Sequence, residues 1–134
     1  MGGYANAMIE DAVSKKRRQL ETCEENFLQS RKKIEKKYEE AYSKYQQLQQ
    51  VIDEKYQVAS QVLYQMGGDV TEWHYQLNRI MSDFSQQTDS VYKDRQYQLE
   101  QEEIRMEKEY KRQHRRLEEE LVQALKQERH KKEE

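Results

Sequence analysis

Proline is absent from this chain of 134 residues, and cysteine and glycine are scarce. Without proline, nothing in the chain forces a helix to break. Cys23 is the only cysteine, which excludes an intrachain disulfide and a cysteine metal cluster. No histidine lies near Cys23 in sequence, so we expect it to act as an inert, small apolar residue.

Hydrophobic residues are also few, at 34% against 37% charged, and the net charge is −2. A compact globule needs a larger apolar share, whereas a long helix needs only a stripe. Because positive and negative charges nearly balance, we do not expect a nucleic-acid partner, which would need a concentrated basic surface. No apolar run approaches the roughly 20 residues that span a bilayer, and no signal peptide is recognisable. We predict no transmembrane segment and a cytoplasmic protein, with export beside a partner by a signal-peptide-independent route left open.

The sequence lacks the patterns that carry catalysis or cofactor binding. His74, His114 and His130 have no second ligand at metal-binding spacing. The pair Gly67-Gly68 is followed by neither Lys-Ser nor a third glycine, so no phosphate-binding loop is present. We therefore predict that the chain is not an enzyme and has no catalytic residue, metal, cofactor or small-molecule substrate.

Gly67 and Gly68 divide two long helical stretches at mid-chain. Glycine just past a helix end supplies the left-handed terminator. Asp69 with Glu72 forms a D-x-x-E variant of the capping box, which starts a new helix. Two nearly equal helices joined by a short turn predict an all-α fold, an antiparallel two-helix hairpin with coiled-coil arms. We predict helices over 9–66 and 70–130, a turn at 67–69, and a single domain over 9–134. Residues 1–8 are expected to be disordered or foreign to the natural protein.

The first arm shows heptad spacing of apolar residues, which predicts an inward-facing seam of two lanes. The first lane holds Val13, Leu20, Phe27, Ile34, Ala41, Leu48, Lys55 and Val62. The second lane holds Arg17, Glu24, Arg31, Tyr38, Tyr45, Ile52, Ala59 and Met66. Charged residues in the second lane predict a weaker seam before Phe27.

The second arm opens with an apolar cluster and then changes its period. After Phe84 an 11-residue spacing fits best. That lane holds Phe84, Thr88, Val91, Arg95, Leu99, Glu102, Met106, Tyr110, Gln113, Leu117, Leu121 and Ala124. The apolar surface near the turn is wider than one helix can cover, and a two-helix hairpin rarely buries enough area alone. We therefore predict a helical partner that binds Val62, Met66, Trp73, Leu77, Ile80 and Phe84.

Tyrosines and two basic patches offer weaker binding signals. The ten tyrosines can pack across the hairpin or form a second protein-binding surface. The patches are Lys15–Arg18 and His114–Arg116, which the hairpin brings near each other. Glutamates 118–120 lie in the same region, so mutual pairing competes with contact to nucleic acid or anionic lipid.

A signal-less, cysteine-poor hairpin with a glycine turn and a tryptophan beyond it resembles the WXG-type proteins of type VII (ESX) secretion. Its tyrosine- and glutamine-rich first helix and charged tail look most like the small helical partners of LXG toxins in Gram-positive bacteria. The resemblance implies binding to the toxin's N-terminal helical domain, as a targeting factor or chaperone for export.

The chain departs from that family's motifs in two ways. Trp73 is followed by His74-Tyr75, so W-x-G is not met, and the glycines precede the tryptophan. The export signal Y-x-x-x-[DE] is absent, since Tyr92, Tyr97 and Tyr110 lead to glutamine or histidine. Phe84 leads to Thr88, so the phenylalanine variant is absent too. The resemblance then implies that a sister helical protein supplies the signal.

Two other hypotheses stand beside the toxin partner. The same stripe could mediate self-association in a homo-oligomeric coiled-coil scaffold or tether without a secretion role. The third hypothesis is a membrane-surface or nucleic-acid binder that uses the basic patches. Solution mass separates the first two, and salt-dependent binding identifies the third.

Overall fold

A computed structural model describes the backbone of residues 2–133 and the side chains of residues 11–133. Its two helices pack against each other as a hairpin: α1 spans Gly2–Met66 and α2 spans Thr71–Glu133. The predicted all-α hairpin is confirmed. Helix α1 begins earlier than residue 9, because no proline interrupts the first residues. The expectation of disorder over residues 1–8 is therefore wrong for 2–8, and Met1 lies outside the described residues.

The turn depends on two glycines with left-handed backbone. Gly67 has φ 67° and Gly68 has φ 73°, a region that residues with a Cβ avoid. Asp69 Oδ1 accepts a hydrogen bond of 3.1 Å from the Thr71 amide. The carbonyl of Val70, the residue just before α2, accepts a hydrogen bond from His74 N at 2.9 Å. Helix α2 therefore starts one residue later than predicted.

The predicted capping box is only half formed. The hydrogen bonds to Thr71 lower the pKa of the Asp69 carboxyl, because they favour its charged form. Among the described residues, Glu72 accepts no hydrogen bond from the Asp69 amide, which is the second bond of a capping box. Its carboxylate instead accepts a bond of 3.0 Å from Gln76 Nε2 further along α2.

Contacts between the helices fall into two compact units. The terminal unit joins α1 up to Ile34 with α2 from Glu102 onward, and the turn unit runs from Glu35 to Gln101. Both helices contribute to each unit. The single domain over 9–134 stays a prediction, and the number of unfolding transitions addresses it.

The terminal unit follows one predicted heptad lane of α1 but not the other. The first-lane residues are buried or half-buried: Val13, Leu20, Phe27 and Ile34. The second lane lies one residue earlier than predicted, at Lys16, Cys23 and Ser30. The residues predicted there are exposed, namely Arg17, Glu24 and Arg31. Placing the shorter Cys23 and Ser30 inward leaves these three charged residues in water.

The turn unit follows an 11-residue spacing on both helices. The covered positions of α1 that keep this spacing are Ala41, Tyr45, Gln49, Ile52, Tyr56, Ser60 and Leu63, and Ala59 beside Ser60 is half-buried as predicted. Those on α2 are His74, Leu77, Met81, Ser85, Thr88, Tyr92, Gln96 and Leu99. Steps of four, four and three residues keep each stripe in line at about 3.67 residues per turn. The heptad prediction is therefore wrong for Leu48, Lys55, Val62 and Met66, which are exposed.

The 11-residue lane predicted for α2 is confirmed in part. The members that lie inward include Thr88, Leu99, Met106, Tyr110, Leu117, Leu121 and Ala124. Leu99 is fully buried. The prediction is wrong for Phe84, Val91, Arg95 and Gln113, which are exposed. In each case the next residue is half-buried instead, namely Ser85, Tyr92, Gln96 and His114.

A candidate helix-docking face

Large apolar side chains line one side of the turn unit without being covered. We call this set the apolar face. On α1 it comprises Leu48, Val51, Val58 and Val62, and on α2 it comprises Trp73, Ile80, Phe84 and Val91. Each is between 48% and 66% exposed. Contiguous apolar patches of this kind mark interaction sites on proteins, whereas single exposed residues do not.

Helical geometry aligns the residues of the apolar face. At 100° per residue, its four α2 members fall within a sector of about 40°, and its four α1 members within about 80°. Each member lies one residue before a buried or half-buried position of its helix; for Val58 that position is Ala59. In an antiparallel pair, such positions on the two helices turn toward the same side.

A groove between the helices joins the two stripes. Lys44 and Leu48 of α1 line it together with Val91 and Arg95 of α2. Its lining also includes the small side chains of Ala41 and Thr88. Small residues beneath larger walls leave room for a side chain from outside, as in knobs-into-holes packing.

The opposite side of the turn unit is polar. Covered positions of α1 are followed there by Gln46, Gln50, Asp53, Gln57 and Gln61. Its exposed aromatics are Tyr42, Tyr64, Tyr75 and Tyr97, whose hydroxyl groups are compatible with water. The apolar residues are thus concentrated on one side of the unit.

Between the two helices of the turn unit, polar side chains form a hydrogen-bonded network. Asp89 Oδ1 accepts hydrogen bonds from Tyr45 Oη at 2.5 Å and Gln49 Nε2 at 3.2 Å. Ser85 Oγ donates to Gln49 Oε1 at 3.2 Å. The Tyr45 ring stacks on Tyr92 with centroids 4.5 Å apart. The bond to Asp89, followed by burial, raises the pKa of Tyr45. Because this network needs one alignment of the helices, it fixes their register.

The structure places the predicted partner-binding residues in one unit. Val62, Trp73, Ile80 and Phe84 belong to the apolar face, and Met66 is exposed at the end of α1. Leu77 is half-buried at a covered position between the helices. Binding of a partner by these residues stays a prediction.

Sequence reasoning missed four members of the apolar face: Leu48, Val51, Val58 and Val91. Leu48 was assigned to the inward heptad seam of α1. The signal for Val51 and Val58 was their heptad spacing with Leu48 and Val62. Val91 was assigned to the inward lane of α2, one residue before the correct position. Asp89, Gln49 and Ser85 were missed because polar residues carry no hydrophobic signal.

The basic patches are partly neutralised within the terminal unit. Lys16 Nζ lies 2.6 Å from Glu120 Oε2, a bond that lowers the pKa of the glutamate. His114 lies between two carboxylates, with Nε2 3.0 Å from Glu24 and Nδ1 3.1 Å from Glu118. These contacts support the pairing interpretation for Lys16 and His114.

Cys23 is half-buried in the terminal unit. Burial, followed by the Glu24 carboxylate, raises the pKa of the Cys23 thiol, which disfavours the reactive thiolate. Among the described residues, no group of three His, Cys, Asp or Glu side chains could hold a metal ion. No helix within the described part of the chain is long and apolar enough to cross a membrane.

The chain was compared with known proteins by family, by sequence and by structure. No protein-family model, curated protein or solved structure matches this chain.

Proposed function

We propose that this protein is a binding partner that docks helices of another protein on its apolar face. The single observation that carries this proposal is the one-sided exposure of Leu48, Val62, Trp73 and Phe84 with their neighbours. Amphipathic helices bind such faces through apolar residues spaced three and four apart. Two added helices would complete a four-helix bundle around these side chains.

We further propose the identity of the partner from the resemblance to WXG-type proteins. The partner would be the helical N-terminal domain of an LXG toxin, alone or with a sister helical protein. This chain would then act as a targeting factor or chaperone for export by type VII secretion. The hairpin fold and the exposed apolar face are compatible with shielding a helical toxin domain before export.

Docking energy should be concentrated in the larger side chains of the face. Full burial of an apolar side chain is worth about 1.5–3 kcal/mol. Phe84 is 52% exposed, so about half of that, roughly 1 kcal/mol, is still available for binding. Polar replacement of Ile80 and Phe84 together should then weaken binding at least tenfold.

Co-expression tests the proposal. The chain is produced with the helical N-terminal domain of the LXG protein encoded beside its gene, and the complex is purified. The double variant Ile80→Gln with Phe84→Gln should lose the complex. The control Tyr97→Gln removes a similarly exposed aromatic, 62% exposed, from the other side of α2 and should retain it.

Three results would contradict parts of the proposal. Equal retention by both variants would exclude the apolar face as the docking site. Absence of an LXG gene, or of a complex with its product, would refute the toxin assignment. A stable homo-oligomer that the double variant dissolves would support the scaffold hypothesis instead.

A further inference from the structure

We infer that the segment docking on the apolar face carries carboxylates beside its apolar residues, and belongs to a different protein rather than a second copy of this chain. The inference rests on the proposed function and specifies the chemistry of the partner. Its basis is the sign of the charges set into the apolar face.

Two cations stand within the apolar stripe of α1, and a third stands at the edge of the stripe of α2. Lys44 and Lys55 fall within the sector of Leu48 and its α1 neighbours, and Arg95 lies about 20° from Phe84 on α2. Lys44 also lies beside Leu48 and Val51 in a shallow depression of α1. Within the turn unit, none of the three forms an ion pair. Arg95 has one long contact, 3.5 Å from Nη1 to Gln98 Oε1.

The groove has an excess of positive charge. Among the described residues, Lys44 and Arg95 line it without an ion-pair partner, against the single carboxylate of Glu40. A docked helix would cover the stems of these side chains and reduce their exposure to water. Charges in a partly dry interface interact more strongly than on an open surface, so acidic residues flanking the partner's apolar stripe would be favoured.

A second copy of the chain lacks this complementarity. Face-to-face self-association would bring Lys44, Lys55 and Arg95 of each copy into one interface. Like charges at an interface select against a partner. The described residues of the groove offer only Glu40 from each copy in compensation.

Two synthetic helical peptides of about four heptads test the inference. Both carry the same Leu and Ile stripe and no tryptophan. In one the stripe is flanked by glutamates, and in the other by lysines. Trp73 is the only tryptophan of the chain and lies on the apolar face, so its emission reports docking directly.

The acidic peptide should bind about tenfold more tightly at low salt, since three exposed pairs contribute about 0.5 kcal/mol each. The preference should shrink as salt is added. The triple variant Lys44→Glu, Lys55→Glu and Arg95→Glu should reverse it. Lys93→Glu, which lies beside a different depression lined by Asp89 and Asp94, should leave it unchanged.

The outcomes separate the inference from the proposed function. Equal binding of both peptides, with loss in Phe84→Gln, would overturn the charge inference and keep the docking face. A preference for the basic peptide would also overturn it. Self-association through the face that excludes both peptides would identify a second copy as the occupant. Binding of neither peptide by a chain that stays monomeric would overturn both claims.

Discussion

Replacing Gly67 with alanine should destabilise the hairpin by about 1 kcal/mol. A residue with a Cβ in the left-handed region costs about 1–2 kcal/mol. Alanine also lowers the conformational entropy of the unfolded chain, which offsets about 0.4–1 kcal/mol of that cost. A Cβ on Gly67 would meet no atom within 4 Å, so no steric term is added. The penalty comes from the φ of 67° alone.

Urea unfolding followed by helical circular dichroism measures this change. The midpoint should fall while the slope stays constant, because the exposed surface on unfolding is unchanged. Gly68→Ala, at φ 73°, should behave similarly. Gly67→Asn should cost less than Gly67→Ala, since asparagine tolerates the left-handed region better.

The sign of the effect makes the test decisive. In a helix interior, alanine is more favourable than glycine by about 1 kcal/mol. A stabilised Gly67→Ala variant would therefore mean that the helix continues through residue 67, and the hairpin assignment would be refuted.

Three further predictions concern burial and charge. Leu99→Ala should cost about 3 kcal/mol in urea unfolding because Leu99 is fully buried, whereas the exposed Val91→Ala should cost less than about 0.5 kcal/mol; equal costs would contradict the register. Cys23 should react with a thiol reagent more slowly in the folded chain than in urea, because its pKa is raised, and equal rates would contradict its burial. Asp69 has a lowered pKa in the folded chain, so its stabilisation is present above about pH 4 and is lost as the pH falls through the folded-state pKa. The stability gap between wild type and Asp69→Ala should therefore narrow in acid, and a gap that widens would contradict this assignment.

The topology was predictable because its signals are local. Gly67 and Gly68 end one helix through backbone preference, and the Asp69 side chain begins the next through one hydrogen bond. Neither effect depends on which faces of the helices meet. Two helices joined by a short turn also have no alternative strand order or layer arrangement, so the topology has few competitors.

The register was not predictable from hydrophobicity. In the turn unit, the interface holds Gln49, Ser85 and Asp89, whose hydrogen bonds to one another and to Tyr45 become visible only when the helices are paired. The heptad stripe of α1 that includes Leu48 and Val62 is more apolar and was therefore predicted to be the core, but it is exposed. The cluster around Trp73 and Phe84 was predicted to bind a partner because it is wider than one helix can cover, not because its exposed position was foreseen.

Acrylamide quenching of Trp73 tests the central claim most directly, because this single tryptophan lies on the apolar face. In the free chain, Trp73 should be readily quenched at every protein concentration, in line with its 61% exposure. Addition of the helical partner domain should protect it, and the same addition to the Ile80→Gln and Phe84→Gln double variant should not. Strong protection in the free chain, or unchanged quenching in a purified complex, would contradict the claim that this face is the docking site.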